Sequence, residues 1–354
     1  MKISSLKSPC SRVGRGSQII LALLLGGVLL LANGCSSEPD ITPAKHHADS
    51  PQKHLALTFN GGPRGGTFNY FANKMSAVMS KHVHWLEMFP RESGGSLDNI
   101  CALNTQTADM AILYAGDAFL ARHNKLTCKY TDLNRVRAIA FLYSAPAQLV
   151  VRKNGTIRNV QDLKGRIVAI GNVGSGAALS AERFFKHLNL WDSIDHRNLG
   201  YSQAATSFLE GKIDAFWTLV GYPNTSIIEA ASQEDIAFIN LHQPAQDSGF
   251  YDVYPFYTSA IIPNGVYEDQ TAPISTFQDS ALWCTRKGID DDAIYSSLRL
   301  IFGGKGLDIM LKAHKAAQEM SLENGLKSIS IPLHPGAVRF WTENNIEIPP
   351  ILLQ

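Results

Sequence analysis

Apolar and polar positions follow two periods along this chain, and the two alternate. Residues 55–59 (Leu-Ala-Leu-Thr-Phe) have the two-residue period of a strand, and the stretch 60–67 interrupts it with glycines and a proline. Phe68, Phe71, Met75 and Met79 then recur at helical spacing. The unit is strand, glycine loop, helix. It returns at residues 85–89, which lead through Ser93-Gly94-Gly95-Ser96 into a helix from Leu97, and residues 111–114 form a third strand. Residues 138–143 and 148–152 read as two strands joined through Pro146. A second series follows: strand 166–170, the loop 171–176, and a helix with Ala177, Ala181, Phe184 or Phe185, and Leu188 facing inward. Strands are predicted at 213–219 and 236–241, residues 255–262 are extended, 275–285 adds a strand, and the chain from Asp290 is mainly helical. Strands alternating with helices predict α/β sheets, which place ligands at the carboxyl ends of their strands. One domain inserted into another through two crossing strands accounts for the order. No internal repeat is evident.

The first segment departs from this pattern. Lys2, Lys7, Arg12 and Arg15 precede an apolar run, residues 19–32, whose 14 residues fall short of the roughly 20 that a transmembrane helix needs. It reads as an export signal covering residues 1–34. Residues 32–35 resemble a lipobox with Cys35 as the acylated residue, although Ala32 stands where leucine is usual and Asn33 is bulky; ordinary cleavage near Gly34 is the alternative. Residues 35–54 lack apolar bulk and form a flexible tether, with His46-His47 as bystanders. The expectation is a periplasmic lipoprotein held to the membrane by its anchor.

Composition removes whole classes. With 45% hydrophobic and 18% charged residues among 354, the chain is neither disordered nor collagenous. Without the four basic residues before Cys35, 28 basic groups face 31 acidic ones, a net charge of −3. That offers no basic surface for nucleic acid. Cys101 and Cys128 stand 27 residues apart, compatible with a disulfide in an oxidising compartment. Cys284 reads as a core thiol.

Three loops lie between a strand and a helix: Gly65-Gly66-Thr67, Ser93-Gly94-Gly95-Ser96 and Gly174-Ser175-Gly176. Amides at a helix start are unpaired and carry the positive end of the helix dipole; glycine lets an anion approach them and a hydroxyl adds a donor. Tight turns and helix caps use the same residues. The loop 171–176 has the order GxxGxG and no loop carries a phosphate-binding lysine, so neither nucleotide signature is present. Val173 breaks a GxSxG elbow at Ser175. His82 and His84 share one side if extended, but no further ligand completes a metal set. Arg64 can pair with an acidic ligand or sit in a surface turn. Tyr114 and Trp217 end strands where a cleft would open.

The motifs 65–68 (GGTF), 94–99 (GGS followed by Asn99), 108–113 (ADMAIL), 162–176 (DLKGRIVAIGNVGSG), 211–217 (GKIDAFW), 254–267 (YPFYTSAIIPNGVY) and 331–341 (IPLHPGAVRFW) resemble the TAXI family of TRAP transporter solute receptors. The resemblance implies a type II periplasmic binding protein fold, two α/β lobes on a two-strand hinge, with residues 55–143 and 256–354 in lobe I and 144–255 in lobe II. It implies capture of a small carboxylate such as glutamate or a related dicarboxylate, and a TRAP-type permease as membrane partner. Gly66, Thr67 and Phe68, with Ser93, Gly94, Gly95 and Ser96, would line the first lobe. Ser175 and Gly176 would grip a carboxylate from the second, with Trp217, Gly221, Tyr222 and Pro223 beside them and Tyr257 near the hinge. Arg64 and Tyr114 complete the candidate set. No catalysis, metal or cofactor is called for. A sensor or adaptor lipoprotein, or an enzyme on the same fold, are the alternatives.

Overall fold

Parallel pairing of β1 (Leu55–Asn60) with β2 (Leu86–Arg91) on one side and β3 (Met110–Tyr114) on the other builds the first half of the molecule. The computed structural model describes residues 54–126, 128 and 134–354; the signal segment, Cys35 and His46-His47 lie outside the described residues. Each strand feeds a helix: α1 (Thr67–His82), α2 (Ser96–Asn104) and α3 (Ala115–Arg122). Phe68, Phe71, Met75 and Met79 are the buried stripe of α1, as their spacing predicts. At the edge, β2 buries only Leu86 and Met88. His82 is the last residue of α1, so His82 and His84 do not share a strand.

The second half repeats the scheme. β5 (Ile167–Ala169) pairs in parallel with β6 (Asp195–Arg197) and β7 (Ala215–Leu219), interleaved with α4 (Gly176–His187) and α5 (Tyr201–Leu209), and followed by α6 (Thr225–Ala231), β8 (Ile236–Phe238), α7 (His242–Asp247) and α8 (Phe250–Val253). Both Phe184 and Phe185 are buried under α4.

Two long strands join the halves. β4 (Val136–Arg152) and β10 (Ile274–Arg286) run antiparallel to each other from Val136 opposite Arg286 to Pro146 opposite Gln278. β10 also pairs antiparallel with β3, and β4 with β7 and β8. The strand orders are therefore β2-β1-β3-β10-β4 and β6-β5-β7-β4-β8, one topology built twice. This is the two-lobed α/β fold expected of a type II binding protein. Pro146 does not divide β4 into two strands: a proline lacks only its N–H, and its carbonyl accepts Val220 N–H at 3.3 Å.

β9 (Thr258–Ile262) pairs with the start of β10. Residues 258–278, grouped with the first lobe by sequence, pack on the second half. Tyr267 joins the core of Val150, Phe208 and Phe216, its hydroxyl donates to Gln148 Oε1 at 2.7 Å, and Ser275 C=O accepts from Leu241 N–H at 3.1 Å. The helices α9 (Asp291–Phe302), α10 (Lys305–Ala313) and α11 (Pro335–Glu343) close the chain. Cys284 is fully buried in β10, and burial pushes its thiol up.

Cys101 of α2 is bonded to Cys128, with Cα atoms 6.1 Å apart. Closing a loop of 27 residues removes denatured-state entropy worth about 3.5 kcal/mol. The double variant C101S/C128S should lose about 2–4 kcal/mol in urea unfolding with its fold intact; an unchanged midpoint would mean that the bridge contributes nothing.

Candidate functional site

The glycine loops of the two halves meet. Gly95, the N-cap of α2, has φ +125°, and a Cβ there would stand 3.1 Å from the Cα of Ser175. Only glycine permits both that backbone and that approach. Leu97 and Asp98 N–H, in the first turn of α2, donate at 3.1 and 3.2 Å to the carbonyl of Gly174 from the opposite half. Ser175 caps α4, accepting from Ala178 N–H at 3.0 Å, while its own hydroxyl donates to Asn172 C=O at 2.7 Å. A second set of contacts lies at the start of α1. Thr67 Oγ1 donates to Gly221 C=O at 3.2 Å, and Asn224 Nδ2 and Thr225 Oγ1 donate to Gly65 C=O at 2.7 and 3.2 Å. Four helix starts from two halves, those of α1, α2, α4 and α6, thus face one seam.

Buried rings fill the seam behind the loops. Phe68 lies against Tyr114 with ring centres 4.5 Å apart, and Phe71 against Tyr143 at 4.6 Å. The Tyr114 hydroxyl donates across the seam to Leu219 C=O, which also accepts from Tyr201 at 3.1 Å. Burial, then the neighbouring Tyr201, raises the hydroxyls of Tyr114 and Tyr143; burial lifts that of Tyr201 to about 12. All three stay neutral at any physiological pH. Asn60 Oδ1, at the carboxyl end of β1, and Ser226 Oγ, in the first turn of α6, are buried with no hydrogen-bond partner among the described residues. They are polar atoms beside the loops that a bound solute could use.

The seam opens to solvent in a hollow of about 370 Å³ between Gly66, Thr67 and Tyr70 on one side and Pro223, Asn224 and Thr225 on the other, with Lys315 at its rim. His314, also in its wall, has its imidazole held down by burial, against a hydrogen bond to Pro223. A larger hollow of about 630 Å³, beside Arg137, Lys287 and His334, shares no residue with the glycine loops.

Most sequence-predicted residues reach the seam, in varied roles. Ser96 Oγ accepts Tyr114 N–H at 3.0 Å, Ser93 Oγ donates to Gly61 C=O at 3.2 Å, and Gly94 N–H donates to Asp98 Oδ2 at 3.0 Å. Gly221, half-buried Tyr222 and Pro223 form the turn facing α1, with a cis bond between the last two. Two candidates are corrected. Trp217 is 1% exposed, donating to Ser180 Oγ at 2.9 Å among Phe184, Phe185 and Phe277; it stands mid-strand in β7 and is core, not cleft wall. The Arg64 side chain is 80% exposed and pairs with Glu92 on the surface. Tyr257 is buried and accepts from Arg183 Nη1 at 3.0 Å. Sequence reasoning missed Asn224, Tyr201 and Arg183. Asn224 before Thr225-Ser226 is an N-cap signal, and Tyr201 follows a glycine at a helix start, but nothing local singles out Arg183. Among the described residues no group of three or more His, Cys, Asp or Glu could hold a metal ion, and no helix is long and apolar enough to cross a membrane.

A model of the NMT1-like family matches residues 59–344, most of the chain, and the chain belongs to that family. It is a solute-binding protein of the TAXI superfamily. Solved structures overlap it more loosely. MatC from Rhodopseudomonas palustris with bound malate is 14% identical, with 82% of this chain and 96% of that one covered and a TM-score of 0.49. The alkanesulfonate-binding protein SsuA from Xanthomonas axonopodis pv. citri bound to MOPS is 12% identical over 82% and 84%, TM-score 0.44. The periplasmic aliphatic sulphonate binding protein SsuA from Escherichia coli is 14% identical over 83% and 84%, TM-score 0.41.

The seam tolerates no added atom at Gly176, where a Cβ would meet the Tyr114 ring at 2.2 Å and Asp117 Oδ2 at 2.6 Å. Gly176→Ala should therefore push the halves apart, costing the closed form about 1–3 kcal/mol and raising the radius of gyration in small-angle scattering. An unchanged radius would mean that the halves do not meet this way in solution.

Proposed function

With membership of the NMT1-like family as the premise, we propose that this chain is the receptor of a TRAP-type transporter and captures a small carboxylate, glutamate or a related dicarboxylate, by closing its two lobes. One observation carries the reading: the first-turn amides of α2 and the capped start of α4 converge from opposite halves on one seam. An anion between them gains charge-assisted hydrogen bonds from both halves in a site that the rings keep dry. The buried tyrosine hydroxyls and the orphan Asn60 and Ser226 atoms supply the polar contacts that orient a small solute. Lys315 at the rim adds a positive charge on the way in.

The lobes of this reading are residues 55–143 with the chain after the return crossing, and the insert that begins at residue 144. The packing of Tyr267 and Ser275 on the insert favours a return at 278–280 in place of 256. The hinge is then Ser144 to Pro146 of β4 against Gln278 to Ser280 of β10. In this reading Cys35, outside the described residues, is acylated, and the permease recognises the closed shape.

Native mass spectrometry of protein purified without denaturation should reveal a bound organic acid. Titration of carboxylates should raise the melting temperature by an amount equivalent to about 2.7 kcal/mol at a hundred times Kd. Ser175→Trp should abolish that rise while leaving the unliganded protein folded. A Ser175→Trp protein that binds as the parent does would remove the second-lobe contact, and a parent that no carboxylate stabilises would overturn the ligand class.

A further inference from the structure

The seam carries a group of charges that capture of a solute does not call on. Asp117 in the first turn of α3, Arg183 on α4 and Asp279 in β10 come together where the two halves and the crossing strands meet. Arg183 Nη2 donates to Asp117 Oδ1 at 2.8 Å and Nη1 to the Tyr257 hydroxyl at 3.0 Å. The Asp117 side chain is 1% exposed and that of Arg183 11%. Asp279 Oδ1 accepts Gly116 N–H at 3.2 Å, at the uncapped start of α3, and Ser280 N–H at 2.7 Å. The other oxygens, Asp117 Oδ2 and Asp279 Oδ2, are buried with no hydrogen-bond partner among the described residues. Arg183 forms its ion pair with Asp117, and its charge also acts on Asp279.

Position gives this group its meaning. Asp117 belongs to the first half and Arg183 to the second, and Asp279 lies opposite Ala145 in the strand pair that joins them. The groups facing Asp279 are Asp117 from α3, Arg183 from α4, Tyr114 from the end of β3 and Tyr257 from the segment before β9. On β4 next to Ala145, Ser144 donates through its N–H and hydroxyl to Glu319 at 2.9 and 2.7 Å, and Lys327 lies 3.6 Å from that carboxylate.

We propose that the Arg183–Asp117 pair is a latch made only when the lobes close, and that closing it takes up a proton on Asp279. The proposal rests on the lobe-closure reading above and adds its regulation. Burial, then the charge of Asp117, pushes the Asp279 carboxyl up to about 7, against the N–H groups of Ser280 and Gly116 and the charge of Arg183. Opening withdraws Arg183, which alone would raise that carboxyl further, and admits water, which lowers it. Burial is the larger cause, so the open form returns toward the ordinary carboxylate range near 3.9. The closed form thus holds the proton more tightly. Its advantage is complete at low pH and is lost as pH rises through about 7.

The full chain, with nitroxide labels on non-natural residues at the exposed positions Ala77 and Glu229, reports closure as an inter-label distance by pulsed EPR. The closed-to-open ratio should fall roughly thirtyfold between about pH 5.5 and about pH 8.5. Asp279→Asn, which keeps the acceptor for Gly116, should stay closed at both values; Arg183→Gln should be open at both. A ratio that ignores pH in the parent, or a pH dependence that survives Asp279→Asn, overturns the proton coupling while leaving lobe closure intact. One fixed distance in every variant, with or without added glutamate, would overturn the closure reading itself.

Discussion

The antiparallel ladder between β4 and β10 is the constraint on which everything else depends. A strand continued from one sheet into the next cannot end its hydrogen bonding at the boundary without leaving buried amides unpaired. β4 therefore serves as the last strand of one sheet and the inserted antiparallel strand of the other, and β10 pairs first with β9 and then with β3 and β4. The ladder fixes the distance between the halves at one edge. Everything beyond that edge can move only as two bodies about it.

Because each half repeats the same strand order, the carboxyl ends of the parallel strands in both point toward a shared seam. The helices that start there bring their unpaired amides with them. Partners from across the seam are the Gly174 carbonyl for α2 and the Gly65 carbonyl for the side chains that open α6, while Asp279 of the joining strand β10 serves α3. The halves hold together through donors that regular helices cannot satisfy for themselves. That accounts for polar contacts and buried tyrosines along the seam in place of an oily interface.

The periodicities of residues 55–114 and 166–187 carried enough to place the βαβ units and the three glycine loops, since strand and helix leave different spacings and glycine marks the turn. The duplicated topology was invisible, because a shared strand order needs no shared residues. Pro146 misled because a missing N–H is costly only where the ladder asks for it. Trp217 misled because one side of a strand is core and the other is cleft, and the sequence near a strand end does not say which. Arg183 could not be found locally at all: its partners Asp117 and Tyr257 lie 66 and 74 residues away in sequence, and only the fold unites them.

The carbonyl of Gly174 at the first turn of α2 has one more consequence. A solute that takes those two amides must first evict a resident acceptor, so what it gains is a difference between two hydrogen-bonded states. Water or a neutral carbonyl offers little over Gly174, whereas a fully charged oxygen does. For the proposed anion, the protein's own backbone would thereby set a threshold, and discrimination by charge would be built in before any side chain is consulted.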